Sequence, residues 1–356
     1  MNRPTSSNAP LSSIDLPTPA RVFLTRQGMG GRVLERFEAD ASPRRYFRVV
    51  GEGVLLMEER RDPTGFAAYL RLSHHLNLLG LSAPKVFGAD PVHGLALVED
   101  FGDGTYTTCL ARGDDETELY ALAIDTLLHL HHAPRGKMVA QSQFDMPMLL
   151  DELGIFARWF APAVVPHLQV DQFTDRFLSL WHQVLITVAT RWDTLVMRDF
   201  HVDNLMRLDG RTGIARCGVL DFQDGVLGPC EYDLVSLLQD ARRDLSDGLE
   251  EAMLVRYLAH APHHLGGPDD IRHRYTLLGA QRHARILGVF VRLCLRDGKP
   301  RYLRFLPRVL AQFRTALSNA GLGEIEAFLD TELPDWTTKA LDLEHTLATN
   351  QGVSHA

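Results

Sequence analysis

The first signal along the chain is an alternation. Apolar and polar residues take turns over Arg32–Phe37, and two short apolar runs follow, Tyr46–Val50 and Val54–Met57. Alternation of period two marks half-buried strands. Turn residues separate the runs: Ser42 and Pro43 within Ala41–Pro43, then Gly51-Glu52-Gly53. A small antiparallel meander is predicted. The period then changes. Phe66, Tyr69, Leu70, Leu72, Leu76 and Leu79 approximate one helical face, with Thr64 as N-cap, Gly80 as stop and Pro84 beyond it. This predicts a helix over Thr64–Leu79. Val92–Val98 reads as another strand, broken at Gly94, and runs into a loop of acids and glycines, Glu99–Gly104.

Beyond that loop the pattern is mostly helical. Helices are predicted over Glu116–His131, Gln143–Phe160, Asp171–Arg191, Tyr232–Ala241, Leu249–Leu258, Ile271–Leu295 and Arg301–Ala320. One stretch interrupts them: Leu195–Val202 is apolar with charged insertions, followed by strand-like pieces at Leu205–Leu208 and Cys217–Leu220. The order predicts an α+β protein with a small β-rich lobe over residues 21–98 and a larger, mainly helical lobe over 105–345, joined by 99–104. Residues 1–20, rich in Ser, Pro and Asn, read as a disordered tail, and 346–356 as a frayed one.

Composition narrows the classes. A chain of 356 residues with formal charge −8 argues against a nucleic-acid-binding surface. No uncharged apolar run approaches the roughly 18 residues of a membrane span. The opening residues lack the basic-then-apolar order of a secretory signal. Cys109, Cys217, Cys230 and Cys294 are scattered, with no CxxC pair. A disulfide framework is therefore not expected, and a reducing cytoplasm is the default location. The charge is uneven: residues 1–98 carry +3 and residues 99–356 carry −11.

The chemistry concentrates in Val196-Met197-Arg198-Asp199-Phe200-His201-Val202-Asp203-Asn204-Leu205, followed by Gly218-Val219-Leu220-Asp221-Phe222-Gln223-Asp224. Asn204 lies five residues after Asp199, and Asp221 lies 22 after it. Oxygen donors from Asn204 and Asp221 suit a hard cation such as Mg²⁺. Asp199 could accept or orient a hydroxyl proton. One base plus two magnesium ligands is what phosphoryl transfer requires, since its catalysis is mainly positioning and charge neutralisation.

These residues resemble the aminoglycoside phosphotransferase and choline-kinase branch of the protein-kinase-like fold, which is two-lobed. The acidic Val98-Glu99-Asp100 and Gly228-Pro229-Cys230-Glu231-Tyr232-Asp233-Leu234 add to the likeness. Asp40-Ala41-Ser42-Pro43-Arg44-Arg45-Tyr46-Phe47-Arg48, Arg198–His201 and Leu220–Asp224 are closest to the bacterial cell-wall amino-sugar kinases. That resemblance implies transfer from ATP, with Mg²⁺, to the anomeric hydroxyl of N-acetylmuramate and N-acetylglucosamine in peptidoglycan recycling. It implies Asp199 as base, Asn204 and Asp221 as metal ligands, the backbone of Glu99–Phe101 as an adenine hinge, and Ser42, Arg44 and Arg45 in the phosphate-covering loop. Asp233 would support the catalytic loop. His201, Gln223, Asp224 and Arg242 are candidates for the sugar side.

Two departures stand out. Met197 occupies the place where the family carries a histidine, which is mostly architectural. The third strand, Val54–Glu58, has no lysine to pair with phosphates. Arg44, Arg45 or Arg48 could replace it, since guanidinium binds phosphate bidentately. An aminoglycoside or choline-type phosphotransferase and a non-catalytic nucleotide-binding module are the competing readings. His129-x-His131-His132 reads as ordinary surface or packing histidines.

Overall fold

The computed structural model describes residues 16–37 and 44–353, which divide into two compact units. The first runs to Asp114 and includes Val202–Asp224; the second comprises Asp115–His201 and everything from Gly225. Ser42 and the turn around it lie outside the described residues.

The first unit is built on a five-stranded antiparallel sheet in the order β1-β2-β3-β5-β4. Its strands are β1 (Leu34–Phe37), β2 (Arg45–Val49), β3 (Val54–Glu58), β4 (Val86–Asp90) and β5 (Leu95–Glu99). The register pairs Phe47 with Leu56 and Leu56 with Leu97. Alternate residues therefore share a face, and Phe47, Val49, Val54, Leu56, Leu95 and Leu97 are buried together. A helix, α1 (Thr18–Arg26), covers them with Ala20, Phe23 and Leu24. It begins inside the stretch expected to be a disordered tail. Three apolar residues at helical spacing suffice to anchor it, although the residues before it are polar.

α2 (Pro63–Leu78) starts one residue earlier than predicted. Asp62, not Thr64, is the cap, accepting the Gly65 amide at 2.8 Å, and Pro63 opens the helix. β5 starts later than predicted because Gly94, at φ +63°, forms the preceding turn. A Cβ there would lie 1.8 Å from the Glu59 carbonyl oxygen. β4 was not predicted; its residues alternate between half-buried and exposed, and its apolar Phe87 and Ala89 take the exposed positions, so no apolar face marks it. A short α3 (Tyr106–Ala111) follows the sheet.

The second unit is helical. α4 (Glu116–His132), α5 (Met146–Ile155), α6 (Ala161–Val164) and α7 (Val170–Leu185) form its first part. The predicted helix to Phe160 is interrupted: Phe156–Phe160 is a π-helical turn. Its rings belong to an aromatic stack, Phe156 with Phe160 and Phe177, and Phe173 with Phe328. A short antiparallel pair, β6 (Thr194–Val196) with β9 (Val226–Gly228), is fully H-bonded within this unit, and β7 (Leu205–Arg207) pairs with β8 (Cys217–Val219) in the first. α8 (Glu231–Leu238), α9 (Leu249–His260), α10 (Pro268–Leu295), α11 (Leu306–Asn319), α12 (Gly323–Glu332) and α13 (Trp336–Val353) complete the chain. α13 extends through most of the segment expected to be frayed. No described helix is long and apolar enough to cross a membrane.

α10 is the longest helix, and Gly288 lets it approach the α5 end. A Cβ at that position would sit 2.5 Å from the Ile155 carbonyl carbon. Neither backbone can yield cheaply, so the glycine fixes this crossing.

Candidate active site

In the second unit, β6 delivers the chain to Met197, where it turns sharply. Arg198 adopts the left-handed region at φ +70°. For a long side chain this backbone costs on the order of 1–2 kcal/mol unless the surroundings hold it. Asp233, on the first turn of α8, supplies the hold. Its carboxylate accepts the Met197 amide at 2.7 Å and the Arg198 amide at 2.8 Å. Burial pushes the Asp233 carboxyl up to about 7, against the pull of those two N–H groups. Ser236, one turn further on, donates to the Arg198 carbonyl at 3.1 Å and accepts from Arg282 of α10 at 2.7 Å. The loop that presents Asp199 is thus fastened from two helices.

Asp199 is surrounded by cations. Burial works to raise its carboxyl, but Arg285, His201, Arg282 and Arg198 together hold it below the usual range. Arg198 itself is paired with Glu152 of α5, and Arg285 lies 3.3 Å from the same carboxylate. Asp199 is therefore an ionised acceptor at neutral pH. His201 is buried, and burial in the first place lowers it below its ordinary value. Its Nε2 accepts from Arg242 at 3.4 Å, so Arg242 is engaged with the loop.

In the first unit, Asn204 immediately precedes β7 and Asp221 follows β8. The Leu220 amide donates to the Asn204 carbonyl at 2.9 Å, which brings the two ends of the hairpin together. Asp221 is left-handed, at φ +56°. The Gln223 side-chain amide donates to Asp221 Oδ1 at 2.8 Å and to Asp224 Oδ2 at 3.2 Å. Gln223 and Asp224 thus touch the Asp221 carboxylate or its neighbour, which orients that carboxylate. An amide oxygen and an oriented carboxylate at one hairpin mouth form a donor set that fits Mg²⁺ and could hold it. The hairpin is tied to the unit by Val219 N–H to the Ser82 carbonyl, 2.7 Å, and by Ser82 Oγ to the Ala215 carbonyl, 2.6 Å.

The three arginines of the β2 region separate here. Arg48 binds the acids of the expected hinge, Asp100 and Asp103, the latter at 2.8 Å. Arg45 is half-exposed and pairs with Glu58. Arg44 is buried, lies 3.7 Å from the buried Glu59, and stands over the Tyr69 ring at 5.7 Å. Tyr69 stacks on Phe222, the residue after Asp221. Tyr46, raised by burial, hydrogen-bonds Arg44 and feels the Asp221 carboxylate. Arg44 is therefore the arginine on the Asp221 side. Sequence pattern could not single it out, because Glu59 and Tyr69 select it through space.

In the hinge segment, the Glu99 amide donates to the Lys85 carbonyl at 2.8 Å and the Asp100 amide to Gly53 at 3.0 Å. The Glu99 carboxylate pairs with Arg211, whose guanidinium covers the Phe101 ring at 5.1 Å. One other group of metal-type donors gathers among the described residues, Asp193, Cys230 and Glu231. Both of its carboxylates are already paired, Asp193 with Arg191 and Glu231 with Arg274.

An antiparallel sheet unit, a helical unit and a fastened loop with a hairpin of oxygen donors define the kinase-like class, and comparison with solved structures agrees. The chain resembles a choline/ethanolamine kinase family protein from Mesorhizobium loti with a TM-score of 0.55 at 14% identity, over 92% of this chain and 98% of that one. It resembles an ADP-bound aminoglycoside phosphotransferase with a TM-score of 0.56 at 16% identity, over 85% and 99%. The fold is thus the α+β, protein-kinase-like one. Residues 33–271 match the model of the phosphotransferase enzyme family, and the chain belongs to that family. Among curated relatives, the N-acetylmuramate/N-acetylglucosamine kinase of Caulobacter vibrioides is 36% identical, covering 88% of this chain and 95% of its own length. The protein of the same name from Neisseria meningitidis is 33% identical, covering 78% and 83%.

Proposed function

We propose that this protein is an ATP-dependent, cytoplasmic sugar kinase that phosphorylates the anomeric hydroxyl of N-acetylmuramate and N-acetylglucosamine, as part of cell-wall sugar recovery. The names of its curated relatives support the acceptor class. The observation that carries the chemistry is the clamped, ionised Asp199. Its carboxylate, held below the usual range beside Arg285, accepts the hydrogen bond of the acceptor hydroxyl. It aligns that oxygen for in-line attack and takes its proton as the phosphoryl group departs from ATP. Asn204 and Asp221 are the residues to hold Mg²⁺. When bound, Mg²⁺ neutralises charge on the phosphate oxygens. Arg44, kept in place by Glu59 and Tyr69, supplies the phosphate-facing cation that the third strand lacks. The Glu99 amide is committed to Lys85, which leaves the Phe101 amide as the hinge donor to adenine.

Two rival acceptors are disfavoured by particular contacts. The acids Asp244, Glu250 and Glu251 that could face a polycation are paired with partners of their own: Asp244 with Arg308, Glu251 with Arg272, and Glu250 with Tyr275 and Gln239. A choline acceptor would need aromatic rings gathered around its cation, but Tyr232 is wholly buried against Phe144 and Trp192 is 40% exposed, so these two rings form no such cage. The test is to incubate purified protein with ATP, Mg²⁺ and a panel of N-acetyl sugars, aminoglycosides and choline. The expected outcome is ATP consumption with the two N-acetyl sugars, a product phosphorylated at the anomeric carbon by NMR, and a loss of at least about 100-fold in kcat for Asp199→Asn. ATP consumption with no sugar, or a full rate in Asp199→Asn, overturns the reading.

A further inference from the structure

The loop that carries Asp199 gathers more positive than negative charge. Three guanidiniums, those of Arg198, Arg282 and Arg285, act on the Asp199 carboxylate. Arg282 is buried, and Arg198 and Arg285 are largely so. A buried cation needs an anion or a full set of acceptors. Asp233 is committed to two loop amides. If Asp199 alone served these cations, its oxygens would not be available to a substrate hydroxyl. A second carboxylate has to take part of the charge.

Glu152 of α5 is that carboxylate. It is buried, and both of its oxygens are in use. Oε1 accepts from Arg198 and lies 3.3 Å from Arg285 Nε, and Oε2 accepts from Gln281 Nε2 at 3.1 Å. The same Gln281 amide donates to the Leu149 carbonyl of α5 at 3.4 Å, which ties α10 to α5 beside the pair. Glu152 lies three residues before Ile155, and Arg285 three before Gly288. The glycine that lets α10 approach the end of α5 therefore also brings this pair together. Arg282 is met otherwise: it donates to Ser236 at 2.7 Å and stands over the Tyr232 ring at 5.7 Å. Glu152 thus serves two of the three cations. The carboxylate that acts on both of them after Glu152 is Asp199. With Glu152 neutral, both guanidiniums would turn to it.

We propose that Glu152 is a positioning residue for the catalytic loop: it takes up the charge of Arg198 and Arg285, so that the Asp199 carboxylate serves the acceptor hydroxyl rather than these two cations. The proposal rests on the reading of Asp199 as the acceptor's base. It gives α5, which carries none of the residues marked by the sequence motifs, a part in the reaction.

The experiment measures kcat and KM with ATP, Mg²⁺ and N-acetylglucosamine in wild type, Glu152→Gln, Arg285→Met and the two changes combined. Glutamine keeps the size of the side chain and removes its charge. Glu152→Gln is expected to lower kcat about ten- to hundredfold, as for a misplaced reacting group, with KM for ATP within about twofold of wild type. Removing one cation together with the anion restores the balance. The double variant should therefore be about fivefold or more faster than Glu152→Gln, a coupling that the cycle measures directly. A purely structural hub predicts the reverse, because deleting a second member of the network adds to the loss. A double variant no faster than Glu152→Gln, or a Glu152→Gln kcat within about twofold of wild type, overturns the proposal. If Glu152→Gln does not fold, the double variant is set against Arg285→Met: it should fold and turn over within about tenfold of that variant, and an unfolded or slower protein overturns the proposal. Asp199→Asn, run alongside, separates the two levels. A full rate there sinks the reading of Asp199 as base, and this inference with it, whereas a loss there beside an indifferent Glu152→Gln sinks this inference alone. A wild type with no turnover on any N-acetyl sugar sinks the kinase reading and this inference together.

Discussion

Asp233 is the residue whose removal tests the site most directly. It is 1% exposed and gives one acceptor to each of two loop amides, at 2.7 and 2.8 Å. Asp233→Ala removes both acceptors and puts no water channel in their place. A buried donor left without a partner costs about 1–3 kcal/mol. Two of them cost about 2–6 kcal/mol, a large fraction of the roughly 5–15 kcal/mol that holds a typical domain. The same change releases the left-handed turn at Arg198, so Asp199 loses its aim. A displacement of about 1 Å at a reacting group can cost about a hundredfold in rate. Asp233→Asn keeps one acceptor and sets an N–H against the other amide, so it should fall between. The assay pairs urea unfolding followed by circular dichroism with kcat at saturating ATP and sugar, at a temperature where each variant is folded. The expected order in both is wild type, Asn, Ala. An alanine variant with an unchanged urea midpoint and kcat within a factor of two would refute the clamp.

Three further outcomes follow from other contacts. Arg44→Met should raise the KM for ATP about tenfold or more, with Arg44→Lys restoring part of it; an unchanged KM removes Arg44 from the phosphate site. Asp199 has a folded-state pKa below its unfolded value of about 3.9, so it stabilises the fold above that pH and stops doing so as pH falls through the folded value. The urea-midpoint difference between wild type and Asp199→Asn should therefore shrink between pH 5 and pH 3, and Asp199 should add no acid limb to kcat/KM between pH 5 and 8; a difference that grows on acidification contradicts this. Gly288→Ala places a Cβ 2.5 Å from backbone at Ile155 and should cost about 1–3 kcal/mol in urea unfolding, with no cost meaning that α10 can shift freely.

What the sequence made legible follows from which interactions are local. The sheet was readable because β1 lies in an alternating stretch and β2, β3 and β5 in short apolar runs bounded by turn residues, and the β7–β8 hairpin because its apolar pieces flank a turn. Asp199, Asn204 and Asp221 were readable as a pattern of residue types at set spacings. The left-handed backbone at Arg198 was not, since arginine does not favour it, and at Asp221, a residue type that tolerates it, no neighbouring turn signal marks it. Glycine marks such turns elsewhere in the chain, so a non-glycine residue held there has no local signal. β6 and β9 are three residues each, too short for a period to register. Arg44, Arg45 and Arg48 read alike along the chain. Glu59, Glu58 and Asp100, the partners that tell them apart, lie 13 to 52 residues away.

The charge asymmetry of the chain carries a sharper lesson. The portion from residue 99 sums to −11, which by itself suggests a face for a cationic acceptor. Net charge describes a surface averaged over distances longer than the screening length of about 8 Å at physiological salt. Around Asp199 the local sign is reversed: Arg198, Arg282 and Arg285 hold its carboxyl below the usual range, with Glu152 shared between Arg198 and Arg285. The acids that make the total negative are spent on partners of their own, such as Glu116 on Arg243 and Asp125 on Arg256. On the proposed reading, a cationic acceptor would meet three arginines beside Asp199 and be repelled. A neutral or anionic sugar would not. On that reading, the field around Asp199, not the sum over the lobe, is what an acceptor meets.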